Sequence, residues 1–272
     1  MKREYDMDAP FSGSVPVQDL KGKTAIITGA SRGIGHAIAM RLADGGARVA
    51  ITARSVDALA SVQQLIERSG SQALAIATPD GDARRVVDAT LEKFGAIDIL
   101  VNNAGTTKSG NFLELTDADW EDGYATKLFA AMRLCREAWP ALKAAKGSIV
   151  NIGGAGGRTP DMFFTIGGSV NSAVMAFTKS LAQLGIDDGV QVNAVNPGLI
   201  KTDRLKRRIG EAAERWGVSL PEAERRMLVE HKIARFGEPE QIAELIAYLV
   251  SGPGRLLQGA LIDADAGFTK GI

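Results

Sequence analysis

The stretch Thr24–Leu42, TAIITGASRGIGHAIAMRL, limits what this chain can fold into more than any other. Ala25, Ile26 and Ile27 form an apolar run long enough for a buried strand and too short for a helix. Gly29, Gly33 and Gly35 follow, spaced so that the backbone can turn sharply and leave bare N–H groups facing outward. Ile34, Ile38 and Leu42 then recur at four-residue intervals with Ala37 and Ala39 between them, the pattern of a helix that buries one face. The first N–H groups of a helix have no intrahelical partner, and its dipole favours negative charge there. Strand, glycine turn and helix in succession therefore predict a dinucleotide-binding loop.

The rest of the chain repeats the alternation. Short apolar runs at Arg48–Thr52, Ala73–Ala77, Asp98–Asn102, Ser148–Ile152, Gln191–Val195 and Leu261–Asp263 read as strands. Helical spacing covers Asp57–Arg68, Ala83–Phe94, Val170–Leu184 and a long segment, Asp117–Lys143, where Trp120, Tyr124, Leu128, Met132 and Cys135 recur every three or four residues. Apolar strands separated by helices predict an α/β fold, a doubly wound parallel sheet of Rossmann type with helices on both faces. No linker or repeat interrupts it, so 19–272 is expected to be one domain. Met1–Gln18 mixes charges with Pro10, Gly13 and Pro16, has no hydrophobic core, and is expected to be a flexible tail and not a secretory signal.

Composition removes several classes of partner. Lys and Arg balance Asp and Glu at 32 each, which gives no reason to expect nucleic acid or an anionic membrane. No apolar run approaches membrane-spanning length. The single cysteine, Cys135, excludes an internal disulfide and suits a reducing, cytoplasmic setting. His36 and His231 stand far apart, so no metal-ligand spacing exists.

Four segments in order carry a family resemblance: Thr28–Gly35 (TGASRGIG), Asn102–Gly105 (NNAG), Pro197–Thr202 (PGLIKT) and Asp265–Gly267 (DAG, where the family usually has DGG). Along nearly all of Asp19–Lys270 the chain resembles the short-chain dehydrogenase/reductase family. The resemblance implies a nicotinamide dinucleotide across the carboxyl ends of the strands, where the switch point of such a sheet binds ligands. It also implies a small-molecule substrate, often a homotetramer, and a lid over 201–235. The helices 117–143 and 170–184, apolar over more than one face, match the family's two-fold interface. Carried over residue by residue, it expects the cofactor at Gly29, Ser31, Arg32, Gly33, Ile34, Gly35, Asn103, Ala104, Gly105, Pro197, Gly198, Ile200 and Thr202.

Cofactor preference follows from charge. The position where an acid would hold the ribose 2′-hydroxyl of NAD is Ala53, followed by Arg54, with no acid before Asp57. A missing carboxylate removes repulsion against a 2′-phosphate, and Arg54 offers a forked, charge-assisted contact, with Arg32 as a second. NADP(H) is expected over NAD(H). The loop Ala77–Asp82 is shorter than is usual, so neither Asp80 nor Asp82 is assigned to the adenine.

The chemistry departs from the family. Its usual site is Asn, Ser, Tyr and Lys; here those positions hold Lys127, Gly154, Gly167 and Asn171. Glycine at the Ser and Tyr positions offers no hydroxyl, and the space is expected to be empty or filled by water. Losing general acid–base help forfeits ~10²–10⁴ in rate. Lys127 and Asn171 are the reciprocal of the family's Asn and Lys, which predicts an exchanged pair in which a partly buried amine transfers the proton. The alternative is Lys127 snorkelling to solvent. Tyr124 fits the apolar stripe, Asp161 fits a turn, Thr165 and Ser169 flank Gly167, and ten Lys/Arg against six Asp/Glu over 201–235 fit a solvated surface. Three functions stay open: an oxidoreductase with a rebuilt site, a redox-silent nucleotide-binding protein, and a non-redox enzyme in the same pocket.

Overall fold

In the computed structural model the described residues are 19–79 and 81–271; the expected tail Met1–Gln18, and Asp80, lie outside them. The apolar runs form strands β1 (Thr24–Thr28), β2 (Arg48–Ala53), β3 (Ala73–Ala77), β4 (Ile99–Asn102), β5 (Ser148–Ile152), β6 (Gln191–Pro197) and β7 (Leu261–Ala264). They pair in parallel as one sheet in the order β3-β2-β1-β4-β5-β6-β7. Successive crossovers run outward in opposite directions from β1 and β4, and this places the switch point at their carboxyl ends.

Helices α1 (Gly33–Asp44), α2 (Val56–Arg68) and α3 (Ala83–Phe94) follow the first three strands. Alternation along a strand sends neighbouring side chains to opposite faces. In β1, Ile27 joins Leu42, Leu59 and Ile66 on one face, while Ile26 joins Val86, Phe94 and Leu100 on the other. The first face is closed by α9 (Pro239–Leu249), which packs on α1 through Ile246 and ties to it by the Arg41–Glu244 ion pair at 2.5 Å.

The expected long helix is present but not uniform. It runs as α4 (Asp117–Tyr124), a π-helical turn over Ala125–Phe129, and α5 (Ala130–Ala145). A π-turn inserts a residue into the helical repeat and is common at functional sites. Lys127 lies in its middle. Helix α6 (Thr165–Asp188) starts five residues before the expected Val170, which brings Gly167 into its first turn. Segment 201–235 holds α7 (Asp203–Trp216) and α8 (Leu220–His231), with a small apolar core of their own around Leu205, Ile209, Met227 and Phe236.

A buried polar chain ties the centre together. Asn102 at the end of β4 donates to Asn151 of β5 at 2.8 Å and to the Cys135 sulfur at 3.2 Å, and Asn151 donates to Thr178 of α6 at 3.0 Å. Burial pushes the Cys135 thiol up to about 12, so it stays protonated and unreactive.

Candidate active site

The glycine loop allows close packing at the carboxyl ends of β1 and β4. A β-carbon on Gly35 would meet the Asn103 side-chain amide at 2.5 Å and run into the Gly29 carbonyl. Asn103 in turn straps the NNAG segment to β1. Its backbone N–H and that of Ala104 donate to the Thr28 hydroxyl at 2.9 and 2.8 Å, and its amide donates to the Thr28 carbonyl at 2.9 Å. Gly33 has φ +56°, a conformation that suits glycine.

Two helix starts converge here. Where α2 and α3 are capped by the side chains of Ser55 and Asp82, α1 begins at Arg32 and α7 at Thr202 without a side-chain cap. The Thr202 methyl is 3.2 Å from where a β-carbon on Gly33 would stand. Bare N–H groups on two adjacent helix starts suit an anion. Ser31 and Ile34 are half-buried at this loop, while Arg32 is exposed. Pro197 ends β6, and Gly198 comes so close to Asp265 that a β-carbon would sit 2.7 Å from that residue's own. Ile200 is buried and bridges to Gly237. Asp265 accepts the N–H groups of Gly267 and Thr269 at 3.0 and 2.8 Å, which closes the DAG turn. At the outer edge Ala53 ends β2 and Arg54 is exposed beside it. These residues fit a dinucleotide with its phosphates at the two helix starts. Asp82 is the N-cap of α3, accepting from the Arg85 N–H at 3.0 Å.

Lys127 and Asn171 come together. The Lys127 amine donates to the Asn171 Oδ1 at 2.6 Å and to the Gly153 carbonyl at 2.8 Å. Asn171 is buried and Lys127 half-buried. Burial, and then the charge of Arg204, push the Lys127 amine down to about 7. Burial also lowers Arg204, followed by its neighbours Arg207, Arg208 and Arg32. The lysine stem crosses Gly105, at φ +141°, where a β-carbon would lie 2.7 Å from the Lys127 Cγ. The snorkelling alternative is not what the chain does.

At these glycines the places of the β-carbons are taken by neighbouring side chains. The ring of Phe164 occupies the place of any β-carbon on Gly167, and its Cδ1 is 2.9 Å from that position on Gly156. At Gly154 the Asn171 amide nitrogen stands 2.7 Å from where a serine β-carbon would be. Glycine at each position makes room for a neighbour's side chain. Phe164 was not visible as a site residue; the glycines at 156 and 167 that face its ring were its only signal.

Tyr124, Asp161 and His231 have structural employment. Tyr124 is half-buried with its ring 6.3 Å from that of Phe129. The Asp161 carboxylate accepts the Phe163 N–H at 2.8 Å, a turn contact. His231 packs on Phe268 at 5.1 Å between ring centres, and His36 is half-buried in α1. The Thr165 hydroxyl is buried without a hydrogen-bond partner, and Ser169 is half-buried one turn later. Sequence reasoning also missed a brace. Arg158 pairs with Asp263 at 3.2 Å, and Asp263 accepts from Asn196 at 2.9 Å, holding the turn after Gly153 against β7.

The family model for short chain dehydrogenase matches residues 23–212. The 3-oxoacyl-[acyl-carrier-protein] reductase of Vibrio cholerae is 32% identical over 251 residues, 92% of this chain and 98% of that protein. Among solved structures, L-sorbose reductase from Gluconobacter frateurii, complexed with NADPH and L-sorbose, superposes with a TM-score of 0.87 at 33% identity, covering 94% of this chain and 99% of that one. A short chain dehydrogenase from Burkholderia cenocepacia in complex with NADP gives 0.81 at 33% identity, covering 92% and 99%. With the glycine loop, the NNAG strap and the parallel sheet in their family places, this chain belongs to the short-chain dehydrogenase/reductase family.

Proposed function

We propose that this chain is an oxidoreductase that binds NADP(H) in preference to NAD(H) and interconverts a carbonyl and an alcohol with Lys127 as its proton-transfer group. The observation that carries it is the Lys127–Asn171 contact, an amine with its pKa near 7 at the carboxyl edge of β4 and β5. A general acid or base works best when its pKa lies near the working pH. Asn171 and the Gly153 carbonyl orient the amine, and the Phe164 ring keeps water from the space beside it.

When bound, the nicotinamide supplies or accepts the hydride. The residues of the glycine loop, Asn103–Gly105 and Pro197–Thr202 hold the dinucleotide, with Arg54 and Arg32 set to take a 2′-phosphate. Reductase names among the relatives, and NADPH or NADP in two of the similar structures, support this reading. The α7–α8 segment serves as the lid, and the assembly is a homotetramer.

The test is NADPH oxidation against ketones, aldehydes, quinones and acyl thioesters, with binding confirmed separately. Lacking a phenol beside the nicotinamide, the protein is expected to turn over simple carbonyls well below the usual ~1–10³ s⁻¹. Residual turnover should vanish in Lys127→Ala; turnover that survives this change overturns the role of Lys127. The Phe164 ring at Gly167 favours a second reading, a redox-silent nucleotide-binding protein. Tight NADPH binding without turnover on any of these substrates would select it.

A further inference from the structure

We propose that Lys127 is also a nucleophilic amine that condenses with an aldehyde or ketone to form an imine, an activity separate from hydride transfer. Valence at Nζ points to it. An ammonium has three N–H donors, whereas a neutral amine has two and one lone pair. Nζ faces two acceptors, the Gly153 carbonyl at 2.8 Å and the Asn171 Oδ1 at 2.6 Å. These take both N–H groups of a neutral amine and leave the lone pair directed away from both oxygens.

Among the described residues no carboxylate pairs with Lys127. Lys23, Lys108, Lys143 and Lys201 each pair with a carboxylate, whereas the charged group that acts on Lys127 is the like-charged Arg204. The stem of this half-buried residue lies across Gly105, so the amine is held in place. Burial and Arg204 both disfavour the ammonium, which is how lysine nucleophiles are activated.

The step is redox-neutral. The lone pair attacks the carbonyl carbon and forms the C–N bond, while the carbonyl π pair takes a proton and becomes a hydroxyl. Nitrogen gives up both of its protons in turn, one to the carbonyl oxygen as it becomes the hydroxyl and one as that hydroxyl leaves as water, and a C=N bond remains. An imine withdraws electrons from the adjacent carbon, which opens proton abstraction or C–C cleavage beside the former carbonyl.

The test uses the full chain without cofactor, so its failure would leave NADPH turnover untouched. Propanal and cyanoborohydride at neutral pH trap any imine as a propylamine, and peptide mass spectrometry locates it. An ordinary surface lysine is only ~0.1% neutral at about pH 7.5. Lys127 should be alkylated about tenfold or more faster than the exposed Lys93 and Lys179. The isosteric change Asn171→Asp puts a carboxylate against the amine and should slow Lys127 about tenfold or more, with Lys179 unchanged. Competitive labelling of the unsubstituted protein with fluorodinitrobenzene should rank Lys127 first among the lysines. Lys127 reacting no faster than Lys179 with either reagent would overturn the proposal, as would a folded Asn171→Asp protein that reacts unchanged.

Discussion

The ring of Phe164 lies against the α-carbon of Gly167, in the volume that any side chain at 167 would need. Adding a methyl there forces the ring or the first turn of α6 to move. Gly167→Ala is expected to destabilise the fold by about 1–3 kcal/mol. In a Phe164→Ala background the same change should cost less, with a coupling of about 0.5–3 kcal/mol. Urea unfolding of the four proteins measures it, and strictly additive effects would show that the ring is not the obstacle.

Arg54 stands exposed one residue past β2, with Ala53 where NAD enzymes carry an acid. A charge-assisted hydrogen bond to a phosphate is worth about 1.5–3 kcal/mol. Arg54→Ala should therefore weaken NADPH binding about ten- to a hundredfold and leave NADH binding nearly unchanged. Calorimetric titration of both reduced cofactors decides the matter.

Lys127 sits near 7 in the folded chain and returns to its ordinary 10.5 on unfolding. Between these values the unfolded chain binds more protons, so stability should climb as pH rises from about 7 towards 10.5, the penalty being fully present below about 7. Lys127→Met should remove that slope while costing about 1–3 kcal/mol for the unpaired Gly153 carbonyl and Asn171 amide. Denaturation midpoints across this range in both proteins give the comparison. With Lys127 in its proposed role as proton donor, carbonyl reduction should fall as pH passes about 7, a midpoint set first by burial of the amine and then by the charge of Arg204.

Phe129, Leu184 and Ile186 are 42%, 49% and 70% exposed on the π-turn and α6, the two elements expected at a two-fold interface. Light scattering at micromolar concentration should give about four times the 28.7 kDa chain mass. A monomer would count against the tetramer.

Periodicity made the sheet legible, because each strand is an apolar run bounded by a turn, and the glycine loop was legible because its function needs bare backbone. The π-turn was not. Trp120, Tyr124, Leu128 and Met132 are each four apart, a longer repeat than 3.6, and that unbroken spacing was its trace. Lys127 and Asn171 could be singled out as a pair from residue types, and a hydrogen bond of 2.6 Å joins them. The Arg158–Asp263 brace was hidden because long-range packing, not local pattern, sets its place.

Asn102 and Asn151 lie opposite one another in the ladder between β4 and β5. Their side chains hydrogen-bond to each other, and on to Cys135 and Thr178, in the buried centre of the sheet. A slip of β5 by one residue would strand two amides in that interior and send the strand's apolar set to the wrong face. The pair therefore works as a key for alignment, its amide–amide hydrogen bond forming when these two residues stand opposite each other. That pairing sets Gly105 and Gly153, just beyond the two strand ends, at the separation that one lysine side chain spans.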